Sequence, residues 1–324
     1  MANASKPNDI ARNTPATWLG AGIAALAGAA IFNRWSAARA QRDHPPIGAF
    51  VEVDGMPVHY YQRGAGPAIV LIHGSASLVE DFVVSGLIAL LAKQHRVIAF
   101  DRPGYGYTPR PRGIDWTPER QAELLVAACA KLGIDRPIVV GHSWGTLPAL
   151  AWALDHRESI SGLALLSGYF FATPRPDAVM AAVAGSPGLG DVIVNTVAPL
   201  QTRLTGPLGN KLVFSPAEPT EAFLKDIPFT LMLRPSQLRA TAIDSGQMPA
   251  SAGRLSPRYA ELDLPLAIVW GVGDKLVVQA DQSAKLAEQL PDAVATRMEG
   301  VGHMVHHTDP ARVAAAILAV ADRA

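Results

Sequence analysis

One short segment constrains the fold of this chain more than any other, because it joins a buried-strand pattern to a tight turn. Residues 137–140 (PIVV) are apolar and mostly β-branched, and residues 141–145 (GHSWG) place Ser143 between two glycines. Residues 146–156 then have a helical pattern. The glycines permit a sharp strand-to-helix turn that holds a serine side chain clear of its neighbours, with the free N–H groups of the new helix facing it. The segment therefore predicts a strand, a turn and a helix, with Ser143 presented at the turn.

Strand-like and helix-like segments alternate along most of the chain. Eight segments predict strands: residues 50–53, 58–61, 68–72, 96–100, 137–140, 163–166, 266–270 and 294–298. Four segments have the apolar spacing of helices: residues 81–94, 117–132, 146–156 and 310–322. Continuous apolar strands that alternate with helices indicate a mostly parallel sheet covered on both faces. We therefore expect an α/β fold with an eight-stranded, mostly parallel sheet flanked by helices.

The alternation stops between residues 169 and 263, which are rich in Pro and Gly and contain no clear buried strand. We expect this stretch to be an inserted helical cap over the carboxyl edge of the sheet. The predicted division is an N-terminal anchor and linker at 1–40, a core in two parts at 41–168 and 264–324, and the cap at 169–263. The cap contains apolar residues that predict either an apolar pocket or ordinary packing between cap and core: Phe170, Phe171, Met180, Phe214, Phe223, Phe229 and Met232.

The N-terminal segment differs in character from the rest of the chain. No charged residue lies between Arg12 and Arg34, and this stretch is long enough to cross a bilayer, which takes about 20 residues. Trp18 and Trp35 fit interfacial anchors. We expect a single transmembrane helix that holds the chain at a membrane, the bacterial inner membrane. Two alternatives stay open: a secretory signal cleaved after residues 38–40, which would export the protein, and a weakly hydrophobic surface helix.

Composition narrows the function classes. The 28 basic and 28 acidic residues balance to a formal net charge of zero, and no basic patch stands out, which argues against nucleic acid as a partner. The single cysteine, Cys129, excludes an internal disulfide framework. It lies on the apolar face of the predicted helix at 117–132, so we expect it in the core.

Four groups that could take part in catalysis follow predicted strands. They are residues 73–75 (HGS), Ser143, Asp274 and His303. Ligands of open α/β sheets bind beyond the carboxyl ends of the strands, so these groups are expected at one edge. Along the chain the order is serine, aspartate, histidine.

With these motifs the chain resembles the α/β-hydrolase superfamily, from about residue 50 to the end. It is most similar to small, capped bacterial members with a membrane-anchor-like N-terminus. The resemblance implies that Ser143 is the nucleophile, that His303 is its base and that Asp274 orients the histidine. It also implies an oxyanion hole made by the backbone N–H groups of Ser75 and Trp144, and no cofactor.

Two loops are expected to shape the substrate site. The resemblance places His73, Gly74 and Tyr105 near the substrate, with residues 101–106 forming the floor. His73 and His142 are expected to orient loops through hydrogen bonds. Tyr105 could line the pocket or could pack the loop.

Two assignments have rivals in the sequence. Asp281 lies near Asp274 and is the alternative carboxylate. His306 and His307 follow His303 closely, which raises the possibility of a metal site, but no cysteine or carboxylate cluster accompanies them. We therefore expect no metal, and expect His306 and His307 at a helix start or on the surface.

The identity of the nucleophile narrows the reaction. Haloalkane dehalogenases and epoxide hydrolases of this fold use aspartate at this position, and dienelactone-type hydrolases use cysteine. Ser143 instead points to a serine hydrolase that cleaves a small apolar ester, thioester or lactone through an acyl-enzyme. Three alternatives remain: a carbon–carbon bond hydrolase, a cofactor-free perhydrolase, and a non-catalytic ligand receptor of the same fold.

Overall fold

An eight-stranded sheet forms the centre of the computed structural model, which describes residues 15–324. The strands are β1 (Ala49–Val53), β2 (Met56–Arg63), β3 (Ala68–Ile72), β4 (Arg96–Phe100), β5 (Ile138–His142), β6 (Gly162–Leu166), β7 (Leu266–Gly271) and β8 (Val294–Met298). Their order across the sheet is β1-β2-β4-β3-β5-β6-β7-β8. β2 pairs antiparallel with β1 and β4, and every pairing from β4 to β8 is parallel. The predicted fold class is confirmed.

Helices cover both faces of this sheet. The helices of the described residues are α1 (Pro15–Asp43), α2 (Val79–Val84), α3 (Leu87–Leu91), α4 (Pro118–Lys131), α5 (Thr146–Asp155), α6 (Pro176–Gly185), α7 (Leu189–Asn195), α8 (Val197–Phe214), α9 (Glu221–Asp226), α10 (Phe229–Met232), α11 (Pro235–Leu255), α12 (Ser283–Gln289), α13 (Val305–Thr308) and α14 (Pro310–Ala321). Alternate residues of β3 enter opposite apolar clusters, Val70 and Ile72 on one face and Ile69 and Leu71 on the other. The sheet is therefore buried on both faces, as its continuous apolar strands predict.

The segment predicted as one helix at residues 81–94 is two short helices. α2 ends before Gly86, which has a φ of +79° and caps the start of α3. A left-handed residue interrupts the helical path, and glycine adopts that conformation without steric cost. Cys129 is 2% exposed in the core, as expected.

Six helices, α6 to α11, lie between β6 and β7, and residues 169–263, all of them described, contain no strand. Phe214 and Phe223 pack with Ile227 and with Met304 of the core. These phenylalanines therefore join cap to core, which is the packing alternative raised by the sequence. Met180 is 71% exposed and faces outward.

The N-terminal helix α1 reaches the cap only with its second half. Every residue from 18 to 28 is exposed, whereas Asn33 and Ala40 are buried. Among residues 15–324 no single helix has both the length and the apolar character of a membrane span. The pair α6 and α7, bent by 93° at their junction, passes the same criteria together. The prediction of a single spanning helix gains no support from α1, and its boundary residue Arg12 lies outside the described residues.

Candidate active site

Ser143 stands at a strained turn between β5 and α5. Its φ is +53°, and a short 3₁₀ turn over Ser143–Gly145 leads into the helix. A Cβ added to Gly141 would lie 2.5 Å from the Gly145 carbonyl oxygen, and one added to Gly145 would lie 2.3 Å from the Ile72 oxygen. Both glycines are therefore required for the close approach of strand, turn and helix. The left-handed backbone of a non-glycine residue costs about 1–3 kcal/mol and is typical of functional sites.

The structure brings together the serine, histidine and aspartate predicted from the sequence. Ser143 Oγ lies 2.8 Å from His303 Nε2. His303 Nδ1 lies 2.7 Å from Asp274 Oδ2. The three residues follow β5, β8 and β7 respectively, so the parallel sheet places them at one edge. This chain of hydrogen bonds is the arrangement that activates a serine hydroxyl for attack on a carbonyl.

The Asp274 carboxylate is held by four donors. It accepts hydrogen bonds from the N–H groups of Leu276 (2.8 Å) and Val277 (3.0 Å), from Gln279 Nε2 (2.7 Å) and from the imidazole of His303. Burial by itself would raise the pKa of Asp274, but His303 and the amide hydrogen bonds outweigh it and lower that pKa. The group is therefore ionised at neutral pH. Asp281 is exposed and contacts none of these donors.

Two backbone N–H groups are available beside Ser143. Within residues 15–324, neither the N–H of Ser75 nor that of Trp144 donates to a protein acceptor. Gly74 packs directly on the serine, since a Cβ added to Gly74 would lie 3.0 Å from Ser143 Cβ. The loop of residues 73–75 therefore lies against Ser143, and its role in an oxyanion hole remains a prediction.

Arg102 is fully buried and fixes the shape of that loop. Its side chain donates to the carbonyl oxygens of His73 (Nε, 2.9 Å) and Gly74 (Nη2, 3.0 Å). The Arg102 backbone N–H donates to His73 Nε2 at 3.0 Å. His73 accepts that bond only when Nε2 is unprotonated, and burial, reinforced by Arg102, lowers the pKa of His73 to about 4. His73 therefore orients the loop, as the sequence analysis expects.

A residue that the sequence analysis did not identify, Asp244 of α11, joins the cap to the site. Its carboxylate accepts from Arg102 (2.6 Å), Arg110 (2.8 Å) and the Tyr105 hydroxyl (3.0 Å). Its carbonyl oxygen accepts from the Trp144 indole at 2.8 Å. Tyr105 is fully buried in this contact, so in this structure it packs the loop. The only local signal was an acidic residue within a helical segment, which is common on any helix.

A second buried cluster lies behind the catalytic histidine. His306 and His307 lie in the short helix α13, which agrees with the expected helix start, and they are fully or almost fully buried, so the alternative of surface positions was wrong. Their Nε2 atoms lie 3.0 and 2.7 Å from the carboxylate oxygens of Asp81. His142 packs on His306 and places its Nε2 3.2 Å from the carbonyl oxygen of His303. This cluster supports the backbone of the residue that bonds to Ser143.

Asp81, His142 and His306 also bring potential metal ligands within 4.8 Å of one another. The carboxylate of Asp81 already accepts from two imidazoles, and burial lowers the pKa of both His142 and His306. Hydrogen bonding accounts for the positions of these side chains, and the expectation of no metal remains a prediction.

A surface cavity of about 460 Å³ lies between the loop after β4 and the cap. Its lining includes Tyr107, Arg110, Arg234 and Arg239 but not Ser143 or His303. Arg110 is paired with Asp244 and Arg239 with Asp191. The cavity is therefore separate from the catalytic geometry.

Comparisons with known proteins agree with this architecture. The family model described as alpha/beta hydrolase fold matches residues 67–310. Haloalkane dehalogenase 2 of Mycobacterium tuberculosis is 24% identical over 274 residues, or 81% of this chain and 90% of that protein. A 2-hydroxymuconate semialdehyde hydrolase of a Pseudomonas species is 29% identical over 154 residues, or 47% and 54% of the two chains. The crystal structure of an alpha/beta hydrolase fold protein from Burkholderia ambifaria is similar with a TM-score of 0.70 and 23% identity, covering 84% and 97%.

Proposed function

This chain belongs to the alpha/beta hydrolase fold family, and from that premise we propose that it is a serine hydrolase that cleaves an ester-type substrate. The observation that carries the proposal is the continuous hydrogen-bonded path from Ser143 through His303 to Asp274. A small apolar carboxylic ester, thioester or lactone fits this chemistry.

The proposed reaction has two halves. Ser143 Oγ attacks the substrate carbonyl while His303 takes its proton, and the N–H groups of Ser75 and Trp144 stabilise the oxyanion. His303 then protonates the leaving group, which departs and leaves an acyl-enzyme. A water molecule, deprotonated by His303, attacks the acyl carbon and releases the acid, and the proton returns to Ser143. Asp274 stays ionised and holds the imidazole in the required tautomer.

The nucleophile supports this proposal over dehalogenation. The dehalogenase relative belongs to a class that uses aspartate at the turn between strand and helix, where this chain has Ser143. A serine that is hydrogen-bonded to an adjacent base favours acyl transfer to water.

A fluorophosphonate probe tests the proposal, because it reacts with an activated serine. We expect labelling at Ser143 and turnover of a short p-nitrophenyl ester. Ser143→Ala should abolish labelling and reduce turnover by about 10⁴- to 10⁶-fold. Ser75→Ala is the matched control, since only the backbone N–H of Ser75 is invoked, and it should stay within about tenfold of the unmodified protein. An unmodified protein that neither labels nor turns over esters would instead favour a ligand receptor.

A carbon–carbon bond hydrolase is the second candidate, favoured by the similarity to the semialdehyde hydrolase over 47% of this chain. Such enzymes also use a serine. An assay that compares 2-hydroxymuconate semialdehyde with a p-nitrophenyl ester as substrates distinguishes the two candidate functions. A kcat/KM at least tenfold higher for the semialdehyde would favour the second candidate.

We also propose that α1 holds the chain at a membrane. Trp18 and Trp35 are 65% and 53% exposed, which suits an interfacial position. The side chain of Asn33 donates to the carbonyl oxygens of Asn195 and Thr196 at 2.9 Å, so removal of residues 1–40 would break contacts with the cap. We expect the uncleaved chain in the membrane fraction after a carbonate wash. A recovered chain that begins at Gln41 would favour signal cleavage.

A further inference from the structure

The leucines of the cap helix α8 lie on its solvent-exposed side, whereas an amphipathic helix of a soluble domain usually buries its apolar side. Leu200, Leu204, Leu208 and Leu212 recur at every fourth position and are 38%, 81%, 72% and 44% exposed. The less exposed positions, at residues 198, 202, 206 and 210, follow the same spacing two residues earlier. Two residues correspond to about 200° around a helix, so the leucines project directly away from the protein. We call these four leucines the outer face of α8.

The charged residues of α8 are all basic. The only charged residues of α8 are Arg203 and Lys211, each next to one of the leucines in sequence. Arg203 also donates to Ser36 Oγ of α1 (3.1 Å), and its guanidinium lies 5.6 Å from the Phe32 ring. The outer face is therefore continuous with α1, whose exposed Phe32 and Trp35 are flanked by further arginines.

From this placement we propose that the outer face of α8 lies on the surface of an anionic phospholipid bilayer, with its leucines among the acyl chains. Apolar residues on one face, basic residues at its margins and aromatic residues alongside form the pattern of helices that lie in the membrane interface. Basic side chains near an anionic leaflet add attraction. This contact is distinct from anchoring by the N-terminal segment, because it belongs to the cap.

The contact would place the catalytic site beside the bilayer. The carbonyl oxygen of Val213, next to Leu212, accepts a hydrogen bond from the backbone N–H of His303 at 2.9 Å. A Cβ added to Gly302 would lie 2.4 Å from the Ser215 oxygen, so the end of α8 and the histidine loop are packed without a gap. If the proposed ester hydrolysis holds, the helix that contacts the membrane is the one that packs on the loop of the catalytic histidine.

The chain offers a clean probe of this contact, because its single cysteine is buried at 2% exposure. The test places a polarity-sensitive nitrobenzoxadiazole group on the full chain at Leu204→Cys, with Thr205→Cys as the matched control. Thr205 is exposed one residue away, about 100° around the helix. Vesicles of phosphatidylcholine and phosphatidylglycerol at 3:1 are added to each.

We expect a blue shift and at least a twofold rise in emission at position 204, and little change at 205. Pure phosphatidylcholine vesicles should need about tenfold more lipid for the same change. Replacement of Leu208 by Asp should weaken the response by about tenfold or more. No response at 204, or equal responses at both positions, would overturn the proposal. A response that grows with protein concentration without lipid would assign the face to a second copy of the chain and would also overturn it. The measurement reports contact alone, so its failure leaves the proposed hydrolase chemistry untouched.

Discussion

At the residue scale, Asp274 shows why a carboxylate in this position controls the chemistry of a distant hydroxyl. Three donors besides His303 fix its orientation, and the imidazole of His303 bonds to it through Nδ1. That bond leaves Nε2 of His303 free to accept the Ser143 proton. The aspartate therefore selects the tautomer, and does so without contacting the serine.

Replacement of Asp274 by Asn should reduce kcat on a short ester by about 10⁴-fold, because an amide can donate to Nδ1 and stabilise the wrong tautomer. Asp281→Asn should leave kcat within about twofold, since Asp281 is exposed and outside the path. Steady-state kinetics of the two purified variants give the answer. If the larger loss followed the change at Asp281, the assignment of the carboxylate would be wrong.

The site residues that could be predicted from the sequence are those marked by a pattern of neighbouring residues. Ser143 lies in a pattern of five adjacent residues, and His303 and Asp274 each follow a predicted strand within a few positions. Asp244 and Asp81 could not be found in this way. Their partners lie 142 and 225 residues away in sequence, as in the bonds of Asp244 with Arg102 and of Asp81 with His306. Only the fold brings such pairs together.

At the element scale, a buried carboxylate is one of the contacts that hold α11 on the core, beside the hydrogen bond from Gln237 to Ser77 and the apolar residues of α11 in the core cluster. Asp244 and Arg102 are fully buried, and the Arg110 side chain is 8% exposed. When one partner of a buried ion pair is removed, the remaining charge is left without compensation, at a cost of about 3–5 kcal/mol. This junction is therefore expected to limit the stability of the cap on the core.

Asp244→Asn should lower the free energy of unfolding by about 3 kcal/mol or more, measured by urea denaturation. Asp177→Asn is the matched control in the same cap, because Asp177 pairs with Arg175 but its side chain is 62% exposed. The control should change the free energy by less than about 1 kcal/mol. Equal effects of the two substitutions would show that the junction does not carry the expected energy.

Elements with a strong periodic pattern were predictable, and those shaped by their neighbours were not. The capped helix α4 begins with Thr117 and Pro118 as its sequence indicates. The predicted helix at residues 81–94 is instead divided at Gly86, whose left-handed conformation depends on tertiary packing. The outward leucines of α8 fit an ordinary amphipathic helix by spacing alone, and only the structure shows which face is buried.

At the scale of the whole molecule, buried titratable groups make the free energy of unfolding depend on pH in two opposite ways. Burial lowers the pKa of His73 to about 4, and burial also lowers the pKa of His142 and His306. Below pH 6.5 these three histidines bind protons in the unfolded chain but stay unprotonated in the folded protein, so the free energy of unfolding falls as pH decreases. Burial, with the charge of Asp101, raises the pKa of Glu80 from 4.5 to about 8. Over that interval the folded protein holds a proton that the unfolded chain releases, so stability falls as pH increases.

Stability should therefore reach a broad maximum near neutral pH, because the three histidines outweigh Glu80 below it and Glu80 outweighs them above it. Between pH 6.5 and 8 the free energy of unfolding should decrease by less than about 1 kcal/mol, because one proton is worth about 1.4 kcal/mol per pH unit and the unfolded histidines, which still release protons above pH 6.5, offset part of the loss from Glu80. Glu80→Gln should remove this alkaline decrease and keep the acidic one. Urea titrations at pH 5.5, 6.5 and 8 measure both arms. A decrease that persists in the variant would exclude Glu80 as its source.

At this scale the fold class followed from the sequence, because buried parallel strands must alternate with covering helices, whereas the order of the strands across the sheet came from the structure. The arrangement of the cap did not follow. Its helices range from 4 to 21 residues and are held by particular contacts, such as those of Asn33 with Asn195 and Thr196. Such contacts leave no periodic trace in a sequence.

The positive φ of Ser143 means that the residue proposed as nucleophile also lowers the stability of the folded protein. Glycine adopts that backbone conformation freely, so Ser143→Gly would recover about 1–3 kcal/mol of strain, less about 0.5–1 kcal/mol for the greater freedom of the unfolded chain. The variant should thus melt at a higher temperature than the active protein while having no nucleophile. A laboratory selection for thermal resistance alone would reward the loss of the serine. Selections on this chain must therefore require turnover in every round.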